Sequence, residues 1–133
     1  MAVILSRASI RIMSRELRPD DISAALGVPP TEAFEAGSPV GGRSARVYEQ
    51  SVWILESGIS PDRPLVDHLT SLLARVQDES RLAALRKLSD QCEIDWICFL
   101  SHADGQGTVG FPADVLRRLA AVPAGLVLDL YDE

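Results

Sequence analysis

The run Ile94-Asp95-Trp96-Ile97-Cys98-Phe99-Leu100 is apolar at every position but one and rich in residues that favour strands. A run of this length and character reads as a central strand whose two faces are both in contact with other side chains. Any fold for this chain has to be built around such a strand.

Other segments supply its neighbours. Ala8 to Met13 alternates, with Ala8, Ile10 and Ile12 on one side and Ser9, Arg11 and Met13 on the other, the pattern of a strand with one buried face. Pro19-Asp20-Asp21-Ile22 opens a short helix that ends at Gly27, with Pro29 and Pro30 blocking its continuation. Residues 29–46 read as a long loop. Tyr48 to Glu56 reads as a second strand carrying Val52, Trp53, Ile54 and Leu55. Residues 64–91 are helical: Leu65, Leu69, Leu72, Leu73 and Val76 form one stripe, and Leu82, Leu85 and Leu88 a second. Periodicity leaves open whether this is one kinked helix or two. A helix from Pro112 to about Ala121 precedes a last strand from Gly125 to Tyr131, where Leu126, Leu128 and Leu130 alternate with Val127, Asp129 and Tyr131.

The order is β-α-β-(α-α)-β-α-β. The pattern Pro19-x-Asp21-Ile22-x-x-x-Leu26 recurs as Pro112-x-Asp114-Val115-x-x-x-Leu119. The expectation is an α+β, ferredoxin-like double split β-α-β sandwich in a single domain over residues 1–133. It has a four-stranded antiparallel sheet, helices on one face, and a helical insertion at about 64–91. The alternative reading of the echo is that Pro-x-Asp-apolar is a common helix start.

Composition narrows the function classes. The 133 residues carry 13 basic and 19 acidic side chains, net −6, with 47% hydrophobic residues. That content can bury a core, and the acidic balance argues against a nucleic-acid or anionic-membrane binder. No apolar stretch reaches the ~20 residues of a membrane helix or the ~7–15 of a secretory signal. Cys92 and Cys98 lie too far apart along a strand for a disulfide and read as reduced thiols of a cytoplasmic protein.

The chain also resembles a bacterial family known as domain of unknown function 4279. The resemblance lies in Pro19-Asp20-Asp21-Ile22 and Leu26-Gly27-Val28-Pro29, and in the glycine loop at Gly37. It continues in the strand bearing Trp53 and Ser57, the helix with His68-Leu69, Gly110-Phe111, and Leu128-Asp129-Leu130-Tyr131. It spans nearly the whole chain. It implies an architecture and no established activity.

Several motifs offer chemistry. Gly105-Gln106-Gly107-Thr108-Val109-Gly110 fits Gly-x-Gly-x-x-Gly, but Pro112 starts the following helix, so all three glycines lie in the loop and a dinucleotide cofactor is not expected. His102 and Asp104 with Asp95 or Cys98 lack the spacing of a metal site, and no metal is expected. His68 could act as a base with Asp67 or Asp95, but more simply edges a helix stripe with one nitrogen in water. Gly41-Gly42-Arg43-Ser44-Ala45-Arg46 could cradle an anion. No nucleophile elbow, Walker loop or zinc-protease motif is present.

The strands carry apolar residues on both faces, which calls for a cover on the outer side of the sheet. The leading reading is therefore a non-catalytic protein-interaction module, immunity-like or regulatory, acting as monomer or homodimer with a protein partner. Arg11, Trp53 and Tyr131 are its candidate contacts. The alternative is a small-molecule binder or enzyme with a site between the 38–46 and 101–110 loops, where Arg43, Arg46, His102 and Asp104 would converge.

Overall fold

The structure, a computed structural model, describes residues 4–41, 46–102 and 107–132. Five strands and four helices follow in the order β1 (Ile4–Ser14), α1 (Pro19–Leu26), β2 (Glu32–Phe34), β3 (Ser51–Glu56), α2 (Leu65–Val76), α3 (Glu79–Leu88), β4 (Glu93–His102), α4 (Ala113–Ala120) and β5 (Gly125–Asp132). The fold is α+β, with one mixed sheet of strand order β2-β3-β1-β4-β5.

The sheet corrects the ferredoxin-like expectation. β1 pairs antiparallel with β3 and with β4, whereas β5 runs parallel to β4. Neither β-α-β half is split. β1 and β3 are immediate neighbours, and α4 carries the chain over the sheet and back in the same direction beside β4. The two Pro-x-Asp segments are both helix starts: Pro19 begins α1 and Pro112 precedes α4. They lead into different crossovers, so their likeness lies in helix-start chemistry and not in a repeated unit.

β2 is an added strand within the segment expected to be loop. It pairs with β3, and beyond it Pro39 bridges Val47 and the Phe34 and Tyr48 rings stack 4.7 Å apart. Residues 64–91 divide into two helices. The break falls at Gln77-Asp78, where the Asp78 carboxylate accepts a hydrogen bond from the Arg81 N–H and caps α3.

The registers sort the side chains by face. Ile10 lies opposite both Leu55 and Trp96, and Ile12 opposite Trp53 and Ile94. These residues, with Ala8 and Cys98, form the inner face and share a core with Ile22, Leu65, Leu69, Leu72, Val115 and Leu119 from the helices. The α2 stripe thus lies at the centre of the core, packed against β1. The outer face carries Arg7, Ser9, Arg11, Ile97 and Phe99. The Arg11 guanidinium meets the Asp95 carboxylate there at 3.4 Å. No described helix is long and apolar enough to cross a membrane.

Candidate functional site

The first half of β1 loses its β3 neighbour early. Pairing ends at Ser9 opposite Glu56, and the Ser57 N–H then donates to the Ala8 carbonyl at 3.0 Å. The next anchor is the Ser6 N–H, which donates to the Pro61 carbonyl at 2.8 Å. Two residues on β1 are matched by four on the other strand, so the surplus forms an arch over Gly58, Ile59 and Ser60. Gly58 has φ +75°, the left-handed conformation that a side chain disfavours.

Beside this arch lies a cleft of about 830 Å³, within the size range of small-molecule sites. Its walls come from β1 (Leu5, Arg7, Ser9), the arch (Ser57, Gly58, Ile59, Pro61), β4 (Phe99, Leu100, Ser101) and Tyr131 of β5. The Phe99 and Tyr131 rings stack at 6.3 Å, and the Tyr131 hydroxyl donates to the Asp129 carboxylate at 3.0 Å. That carboxylate holds the phenol above its usual pKa.

His68 also borders the cleft. It sits on α2 between Leu65 and Leu72 and is completely buried, against the expectation of one nitrogen in water. The physical reason is its position inside the apolar stripe, which faces β1. Its Nδ1 is 2.6 Å from the Ser57 Oγ, while Nε2 has no hydrogen-bond partner among the described residues. Burial lowers the imidazole pKa, against opposing contributions from the Arg63 and Ser60 carbonyls and the Asp67 carboxylate. Asp67 itself is bound by Arg63 at 2.9 Å, and Asp95 belongs to the outer face. Neither reads as a catalytic partner for His68.

The expected two-loop site fares differently. Arg43 and Asp104 lie outside the described residues. Arg46, whose carbonyl accepts from the Val40 N–H, lies just before β3, which begins at Ser51 opposite Ser14 at one end of β1. His102 pairs with Ile4 at the other end. Ten residues of strand separate those ends, roughly 33 Å at ~3.3 Å per residue. The sheet does not bring Arg46 and His102 together. Of the Gly-x-Gly-x-x-Gly segment, residues 105 and 106 lie outside the description, and α4 begins only at Ala113. Among the described residues, no three His, Cys, Asp or Glu side chains cluster as metal ligands.

The three candidate contacts also divide. Trp53 is wholly buried on the inner face, its indole N–H donating to Ser23 Oγ at 3.0 Å, and it has no surface to offer a partner. Arg11 is half-buried and engaged with Asp95. Tyr131 is exposed on β5. The expected orientation of β5 holds, since Leu126, Leu128 and Leu130 align with the inner-face residues Trp96, Cys98 and Leu100. Yet they are 50%, 49% and 70% exposed, and Val127 and Tyr131 on the other face are exposed as well. β5 is an edge strand, and the helices leave its inner side open.

No curated protein and no solved structure matches this chain. The family model described as domain of unknown function (DUF4279) matches residues 4–133, and the chain belongs to that family.

Proposed function

We propose that this chain is a non-catalytic protein-interaction module that works through the β5 edge, with a second copy of itself as partner. One observation carries the reading: an eight-residue edge strand exposes five large apolar side chains over both of its faces. Edge strands are ordinarily shortened, bulged or guarded by Lys and Pro, because their free N–H and C=O groups invite another strand. β2, the opposite edge, is short and begins with Glu32. β5 is eight residues long and carries neither Lys nor Pro, and its central charge, Asp129, is engaged by the Tyr131 hydroxyl.

A strand that covers β5 must itself be apolar on both faces, and β5 meets that requirement. Antiparallel pairing about Leu128 sets Leu126 opposite Leu130 of the second copy on one face, and Asp129 opposite Val127 on the other. That register keeps the two Asp129 carboxylates from lying directly opposite each other.

Sedimentation equilibrium of the full chain tests this. The expected result is a reversible dimer that Leu128→Lys and Leu130→Lys each dissociate without loss of helix or strand content. A monomer at every concentration overturns the self-pairing.

A further inference from the structure

We infer that the cleft beside the 57–61 arch is a binding site for a small zwitterion with an apolar side chain, that is, an α-amino acid. Among the described residues, the charged side chains that line it are those of Arg7 and Glu56. They have opposite sign and share the outer face. Glu56 is opposite Ser9 in the register, so Arg7 is its diagonal neighbour, about 7–8 Å away at Cα. No ion pair joins the two, and none ties either to another described residue. Two opposite charges held close yet unbridged leave room for one molecule that carries both.

The arch supplies the next part. Gly58 and Ile59 border the cleft, and their N–H groups meet no acceptor among the described residues. They and the Arg7 guanidinium are donors without acceptors, the complement of a carboxylate. The Glu56 carboxylate has no donor among the described residues and is the complement of an ammonium group. Leu5, Ile59 and Phe99 provide apolar wall for a side chain.

The arch is also held firmly. Ser57 is bound through its N–H to Ala8, through its carbonyl to Ser71 Oγ at 3.3 Å, and through its hydroxyl to His68. Ser57 and His68 are therefore positioning residues: they fix where the Gly58 and Ile59 amides stand before a ligand arrives, and preorganisation of this kind strengthens binding.

The test is an amide-resolved NMR titration of the full chain with three probes: L-phenylalanine, 3-phenylpropanoate and L-phenylalaninamide. The last two each lack one charge of the first. The expected result is saturable shifts at Arg7 and at Glu56 through Ile59, with L-phenylalanine at least about tenfold tighter than either analogue, the size of one charge-assisted hydrogen bond. Arg7→Gln should weaken L-phenylalanine toward the affinity of the amide while the Gly58 and Ile59 amides keep part of the carboxylate contact, and Glu56→Gln should reduce it to the affinity of the acid. Both side chains are exposed, so the variants keep the fold. Absence of saturable shifts at millimolar ligand, or equal affinity for all three probes, overturns the inference. Leu128 lies off the cleft, so Leu128→Lys should bind like the unmodified chain, and the outcome is independent of β5 pairing.

Discussion

Ser57 and His68 are joined across the entry to α2: the serine Oγ stands 2.6 Å from the histidine Nδ1, and the ring is entirely out of water. A neutral imidazole offers one N–H and one lone pair, so it can satisfy a hydroxyl in either tautomer. Ser57→Ala removes that partner and leaves a second buried ring nitrogen unpaired beside Nε2. The expected loss is about 1–3 kcal/mol of unfolding free energy, measured by urea denaturation. Ser57→Thr, which keeps the hydroxyl, should recover much of it.

The same histidine sets a pH dependence. Burial holds its folded pKa below the ordinary 6.5. Once pH falls below about 6.5, the unfolded chain takes up a proton that the folded chain still refuses. This contribution to stability is therefore complete above that pH and declines as pH falls, until the folded pKa is reached. Denaturation midpoints collected from about pH 8 down to about pH 5, on either side of the free-histidine value of roughly 6.5, should fall at the acid end. In His68→Gln the part of that decline due to the imidazole should vanish. An unchanged acid slope in the variant would refute the assignment.

Cys98 titrates in the opposite sense. It is on the inner face between Ala8 and Leu128, and burial pushes its thiol up to about 11 from an ordinary 9.0. Between those values the unfolded chain loses a proton that the folded chain keeps, so stability falls as pH rises through the window. At neutral pH the thiol is protonated and enclosed. A disulfide reagent should modify it only at the rate of unfolding, while urea exposes it at once. Fast modification of native Cys98 would contradict its burial.

Much of the architecture is legible in the chain, and its failures have definite causes. The alternation in Ala8–Met13 and Gly125–Tyr131 gives strands with the correct inner faces, because a period of two follows directly from the pleat. It says nothing of which strand lies beside which. The parallel pairing of β5 with β4, and the end-to-end separation of Arg46 from His102, follow from that neighbour order and stayed hidden. Glu32–Phe34 is too short to show any period. The three exposed leucines of β5 read as core because alternation reports which way a side chain points and not whether anything covers it. For the site, the burial of His68 was readable from its place between Leu65 and Leu72. Its pairing with Ser57 was not, since it arises from the arch, and the arch from a mismatch between two hydrogen-bond anchors.

Gly125 gives a sharper test of the outer face. A Cβ built there would stand 2.6 Å from Asp95 Oδ1, its register partner. Gly125→Ala must therefore displace the carboxylate that Arg11 holds. The expected cost is about 1–3 kcal/mol, the usual size of an overpacking penalty. In an Asp95→Ala background the obstacle is gone, and the glycine substitution should become nearly neutral. The coupling in this double-mutant cycle is the measurement. Additive costs would mean that Gly125 matters for another reason.

The last prediction concerns the backbone of β5. In a parallel pair at the sheet edge, alternate residues of β5 direct their N–H groups to β4 and the others direct theirs away. In a monomer the first set is protected from hydrogen exchange and the second exchanges freely, which gives a two-residue alternation along Gly125–Asp132. Pairing with a second copy would protect the outward set too. It would do so only in proportion to the dimer present, because association depends on concentration. Exchange followed residue by residue at two protein concentrations separates the cases. Outward amides that slow as concentration rises, and regain fast exchange in Leu130→Lys, would place the partner strand on this edge. Outward amides that remain fast at both concentrations would leave β5 unpaired and remove the basis for self-association.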